Sequence, residues 1–329
     1  MRTSTPRRIV LSVLTAAALF ASAGCAVAAP AADAAPESTT TVVTDPSIIA
    51  HFDLAGGQLP ENIVTAADGG VLMTFAASRQ IAHVTATGET TILATLPASA
   101  DASAKTPVLG FPLVTGIARD GATIYTLLAT GAADTTGVWK IDEGAEPARI
   151  AELPITGLPN GLALDTASDT LFAADSVTGA IFSIPTSGGE ATVWSQDPEL
   201  RTTGFLGVNG LKIKDGAVYA SNLDLGTLLR IPLKKDGSAG DVEIIASGLV
   251  GIDDFDFTGN GDEIVATIDP DSKVVLVHES GDHTVVLSAE DGLSNPTAAL
   301  VSDGKLYIPS AAYVTQKDPN LLVATIGTK

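Results

Sequence analysis

The chain has 329 residues, 45% hydrophobic and 17% charged, with 38 Asp and Glu against 18 Lys and Arg and a formal net charge of −20. No run of Lys or Arg offers a stripe for phosphates, so nucleic acid and anionic membrane surfaces are poor partners. The single cysteine, Cys25, lies near the N-terminus, which leaves the folded part without a disulfide, a thiolate nucleophile or a cysteine metal site.

Arg2, Arg7 and Arg8 precede an uncharged, largely apolar stretch from Ile9 to Ala29. A positive start, an apolar middle and small residues at Ala26-Val27-Ala28 predict an export signal over residues 1–28. Ser22-Ala-Gly-Cys25 resembles a bacterial lipobox with Ser22 where the motif has Leu, which makes lipidation of Cys25 the alternative processing. Arg7-Arg8 leaves the twin-arginine route open beside the general one. The Ser, Thr and Gly content argues against a retained transmembrane anchor. The expected destination is outside the cytoplasm: secreted, periplasmic or on the cell surface, with no membrane insertion beyond a lipid anchor.

Residues 29–46, rich in Ala, Pro, Ser and Thr, lack apolar periodicity and read as a flexible tether. The first expected strand is Ser47–Leu54. From there the chain repeats. Glu61-Asn-Ile-Val-Thr, Thr115-Gly-Ile-Ala-Arg, Asn160-Gly-Leu-Ala-Leu, Asn209-Gly-Leu-Lys-Ile, Asp253-Asp-Phe-Asp-Phe and Pro296-Thr-Ala-Ala-Leu follow one another at intervals of 43 to 54 residues. Each leads through a Gly, Asp or Ser turn into a second short apolar run, as in Thr170–Ala174 after Asp165–Asp169. Runs of four or five residues between tight turns suit an antiparallel meander. One such unit has open edges and little core, so it needs copies of itself beside it. Six units of this period predict an all-β, six-bladed β-propeller over residues 47–329 with four-stranded blades. Ser47–Leu54 is expected to close the ring by adding the outer strand to the final blade.

The first strand of each propeller blade lines the central axis, and its start faces one mouth of the tunnel. The six starts are Glu61, Thr115, Asn160, Asn209, Asp253 and Asn295 or Pro296. Four of these are carboxylates or carboxamides at equivalent points of separate blades, so they converge. Glu61, Asn160, Asn209 and Asp253 make an oxygen-only ligand set, which suits Ca²⁺ or another hard divalent cation. The plainer reading is that each is a turn former before a strand.

At these residues the sequence is similar to the calcium-dependent six-bladed propellers of the senescence-marker, gluconolactonase and luciferin-regenerating-enzyme superfamily, relatives of serum paraoxonase and diisopropyl-fluorophosphatase. Pro60-Glu61-Asn62, Leu158-Pro-Asn160-Gly-Leu-Ala-Leu-Asp165, Val208-Asn209-Gly-Leu and Ile252-Asp253-Asp254-Phe carry the resemblance. It implies that Glu61, Asn160, Asn209 and Asp253 hold a catalytic Ca²⁺, with Asp254 as the register alternative to Asp253. It also implies hydrolysis of a lactone or ester, the cation polarising the carbonyl and Asp253 acting as general base or nucleophile. Around Thr115 the chain has neither the Arg nor the Asn that sugar-lactone members use to hold substrate, which argues against gluconolactone. The histidine pair of paraoxonase-like members has no counterpart, and His51, His83, His278 and His283 read as surface residues.

Asp175, Asn222 and Asp269 end the second runs of three blades and are candidates either for capping the following turn or for touching a small-molecule substrate. Phe111, Phe205 and Phe255 are candidates for an apolar pocket or for core. Asp254–Gly259 has the start of a calcium loop, but the twelfth position is Val265 instead of Glu. The expected function is an exported metal-dependent lactone or ester hydrolase. Its rival is a non-catalytic cell-surface or periplasmic propeller that binds a ligand or a protein partner.

Overall fold

The computed structural model describes residues 40–329. The expected export segment, Cys25 and residues 29–39 of the expected tether lie outside the described residues. Six four-stranded antiparallel sheets are arranged as the blades of a propeller. Blade 1 runs Pro60–Thr65, Val71–Phe75, Gln80–Val84 and Thr90–Thr95 from the axis outward. The inner strands of blades 2 to 5 are Leu113–Asp120, Pro159–Asp165, Val208–Lys214 and Ile252–Phe257. Blade 6 departs from the rest, because only Leu300–Ser302 forms its inner strand and Pro296 makes an isolated bridge to Ser310.

The core is divided between the blade interfaces. Leu127 and Val138 of blade 2 pack with Leu171 and Phe182 of blade 3, and Tyr219 and Leu228 of blade 4 pack with Phe255 and Val275 of blade 5. Every sheet therefore has both faces covered. That explains second strands such as Val71–Phe75, buried throughout, where a one-sided sheet would alternate.

The ring closes as expected, with the N-terminal strand pairing antiparallel to Asn320–Thr328 in blade 6. The strand itself is Thr41–His51, beginning six residues before the expected Ser47 and ending before Leu54. Residues 41–46, assigned from composition to the tether, are thus part of the propeller. Pro46 misled the composition: the register breaks between Thr44 and Ser47, where Asp45 takes a φ of 54°. A proline without an N–H is tolerated in a strand at such a bulge. A chain starting at Phe52 should lose the closing strand, leave Asn320–Thr328 as an open edge and yield no folded monomer by size-exclusion chromatography. One starting at Thr40 should melt where the full 329-residue chain does.

Each of the first five inner strands carries a bulge at the same place. In blade 3, Pro159 opposes Asp175 and Leu162 opposes Ala173, so Asn160 and Gly161 share one position of the partner strand. The same shift falls at Glu61-Asn62, Thr115-Gly116, Asn209-Gly210 and Asp253-Asp254. A bulge orphans a backbone N–H, and in blades 1, 4 and 5 a second-strand hydroxyl accepts it. Thr74 Oγ1 takes Asn62 N at 3.0 Å and Ser221 Oγ takes Gly210 N at 2.8 Å. The same hydroxyls then donate to the next blade, Thr74 to Thr115 O and Ser221 to Asp253 O, and Thr297 Oγ1 reaches Pro60 O to join blade 6 to blade 1.

The glycine that stands second in the doublets of blades 2 and 3 serves this packing. A Cβ at Gly161 would lie 2.1 Å from Asn209 O, and one at Gly116 would lie 2.5 Å from Asn160 O. Only glycine lets neighbouring inner strands approach so closely at the axis.

Candidate functional site

The bulge aims the first residue of each doublet at one mouth of the tunnel. Glu61, Asn160, Asn209 and Asp253, four residues from four blades, line a single cavity of about 380 Å³. All four are buried. Asn209 Nδ2 donates to Asp253 Oδ1 at 2.8 Å, and Tyr313 OH donates to Glu61 Oε2. Thr115, the fifth doublet's first residue, spends its hydroxyl on Pro159 O at 2.9 Å and takes no part in the cavity.

The two register alternatives are placed differently. Asp253 lines the cavity, whereas Asp254 turns below it, accepting Asn62 Nδ2 at 2.9 Å and Lys212 Nζ at 2.8 Å.

Of the three second-strand candidates, only Asp269 reaches the cavity. Asp175 Oδ1 accepts the amides of Leu158, Val177 and Thr178, and so holds its turn. Asn222 does the same, donating to Glu199 O and Arg201 O and accepting Leu225 N. Asp269 Oδ1 is buried without a hydrogen-bond partner. The sixth starting position, Asn295, is a brace. Its Oδ1 accepts the amides of Val314 and Thr315, and its Nδ2 donates to Asp269 O, so it fixes two sides of the cavity at once.

Phe111 and Phe205 line the cavity, joined by Leu109, Leu206, Leu223, Pro270 and Val314, all from loops at the same mouth. Phe255 is fully buried core instead. Exposed Phe205 and Val314 continue the apolar wall onto the rim. The histidines stay away from the cavity, with His51 on Asp318, His83 on Asp68 and His278 on Glu263. Tyr313 was not foreseen from the sequence, since it sits in an irregular loop with no repeat to flag it.

Three carboxylates share this apolar-walled space, and no Lys, Arg or His lines it. Burial is the main cause that pushes Glu61 up to about 8, with Asp269 and Asp254 adding to it and the Tyr313 hydrogen bond opposing it. Burial likewise raises Asp269 to about 7, and burial with Glu61 raises Asp253 well above the ordinary carboxylate range. Tyr313 is held well above its ordinary value for the same reasons, burial first and Glu61 second. Such carboxyls either take up protons or need a cation from outside. Among the described residues no three Asp, Glu, His or Cys side chains are drawn together closely enough to hold a metal on their own, so a cation here depends on the two carboxamides as well.

No family model matches the sequence, and no curated protein matches it. Solved structures do. A gluconolactonase from Xanthomonas campestris is 14% identical with a TM-score of 0.60, over 88% of this chain and 97% of that one. The PQQ-bound aldose sugar dehydrogenase of Streptomyces coelicolor is 14% identical with a TM-score of 0.61, over 89% and 100%. A protein of unknown function from Bacteroides thetaiotaomicron is 15% identical with a TM-score of 0.62, over 88% and 76%. The propeller of this chain is thus the one used by gluconolactonases. A hydrolase and a dehydrogenase share it, so the fold leaves the reaction to the site.

Proposed function

We propose that the protein is an exported, divalent-cation-dependent hydrolase of apolar lactones or esters. The observation that supports it most is the convergence of Glu61, Asn160, Asn209 and Asp253 in one buried cavity with no cationic side chain. The donors are all oxygens, which suits Ca²⁺ over softer metals, and the unpartnered Asp269 Oδ1 adds a further acceptor. A bound Ca²⁺ would polarise the substrate carbonyl and stabilise the negative charge that develops on it.

The chain's own residues supply the rest. Asn209 fixes one oxygen of Asp253, leaving Oδ2 to take a proton from an attacking water. Tyr313 fixes one oxygen of Glu61 and leaves Oε1 for the cation. Phe111, Phe205, Leu223 and Val314 exclude water and favour an apolar acyl or aryl group over a sugar.

A non-catalytic ligand-binding propeller is the second reading, favoured by the absence of a close three-carboxylate cluster among the described residues. Aryl esters and alkyl-substituted lactones should be turned over by the processed protein, and a calcium chelator should remove that activity reversibly. Turnover that survives chelation, or binding of these compounds without turnover, would overturn the proposal.

A further inference from the structure

We infer that Asn62, Asp254 and Lys212 form a clamp beneath the cavity that sets the spacing of Glu61 and Asp253 and thereby the affinity for the cation. The inference rests on the cation-dependent reading of the site.

Blades 1 and 5, which carry the two carboxylates, are not neighbours. Blade 6 lies between them and contributes only the three-residue inner strand Leu300–Ser302. The usual means of holding adjacent inner strands together is therefore weakest where the two acidic doublets must be matched. The second residues of the doublets make up for it. Asn62 Nδ2 donates to Asp254 Oδ2 at 2.9 Å, a buried bond between residues 192 apart in sequence.

Both ends of that bond are fixed. Asn62 Oδ1 accepts Ile63 N at 2.9 Å, and Asp254 Oδ1 accepts Phe255 N at 2.7 Å. From blade 4, Lys212 Nζ donates to the same Asp254 Oδ2 at 2.8 Å. A Cβ at Gly210 would come 2.3 Å from Asp254 Oδ1, so glycine there makes the room the carboxylate occupies. The oxygens of Asp254 are thus committed to protein groups of three blades, one peptide unit from Asp253. Asn62 stands one unit from Glu61. Moving either end of the tie moves a proposed ligand, and outer partners of this kind typically tune metal affinity.

Calcium titration calorimetry on the processed protein tests this, with the melting temperature measured alongside. Asn62→Ala changes no charge and leaves Asp254 paired with Lys212. It should weaken calcium binding roughly ten- to a hundred-fold without changing the stoichiometry. Lys212→Met gives the opposite expectations for the two explanations. Removing a positive charge near a cation site should tighten binding if only electrostatics matter, whereas loss of the clamp weakens it. Lys212→Arg, which keeps a donor for Asp254, should bind nearly as the wild type does. Asn62→Ala binding within about twofold of wild type, or Lys212→Met binding more tightly, overturns the clamp; if Asn62→Ala does not fold, the Lys212 pair decides. A wild-type protein that binds no calcium overturns the cation reading and the clamp together, which is distinct from wild-type binding left unchanged in the variants.

Discussion

Asp253→Asn should lower kcat on any lactone or ester the protein hydrolyses by about 10²- to 10⁴-fold, the range expected for loss of a general base. The replacement keeps the shape of the side chain and an oxygen that can still accept Asn209 Nδ2, so the melting temperature should change little. Measuring kcat at saturating calcium separates this from weakened metal binding. Asp254→Asn is the matched control. Asp254 points below the cavity to Asn62 and Lys212, so its loss should be felt in calcium affinity and largely recovered when calcium saturates. Asp253→Asn retaining turnover at saturating calcium would remove Asp253 from the chemistry and favour the ligand-binding reading.

Much of the site was legible because one structural device repeats. A bulge at the start of each inner strand needs a side chain that tolerates an irregular backbone and a second residue that fits against the next blade. Asn160-Gly161 and Asn209-Gly210 meet both demands, and the glycines are required by carbonyl and carboxylate oxygens only 2.1 and 2.3 Å from a would-be Cβ. The sequence signal that looked like turn chemistry is in fact a demand of axial packing. Glu61-Asn62 and Asp253-Asp254 occupy the same slot without glycine, and their second residues do the cross-tying.

Features that depend on a single loop were not legible. Asp175 and Asn222 occupy the same slot, opposite Pro159 and Val208, and their hydrogen bonds hold the turns that follow, whereas in blade 5 that slot is Ile268, opposite Ile252, and Asp269 stands one residue beyond the strand. Asp269 is followed by Pro270, and its Oδ1 stays unpartnered at the cavity wall. The pairing register separates these cases, and composition does not show it. Tyr313 and Val314 come from an irregular segment in which Ala312, Gln316 and Asp318 all take positive φ, held by Asn295 from a distance in sequence. The start of the closing strand was hidden by Pro46, because composition sees the proline and only the partner strand shows the bulge that admits it.

The cation-free protein should become less stable as pH rises from about 4 to about 8, and calcium should reverse this. Glu61 and Asp269 are raised in the folded state to about 8 and about 7 from ordinary values of 4.5 and 3.8, chiefly by burial. Over that window the folded chain holds protons that the unfolded chain has released, so stability is highest at acid pH and is lost as pH passes through the folded values. Calcium favours the ionised carboxylates, so its binding should expel protons and strengthen as pH rises. At a free calcium concentration of 100 times Kd the gain should be about 2.7 kcal/mol. The Asn160→Ala/Asn209→Ala variant keeps all three carboxylates and loses two of the four proposed ligands. It should therefore keep the fall in stability with pH in chelator, while its calorimetric calcium binding and its rescue by calcium at high pH both disappear. Full rescue in that variant would mean that the cation sits elsewhere. Stability rising with pH in chelator would show that these carboxyls are not held protonated, and would remove the electrostatic case for a cation at the axis.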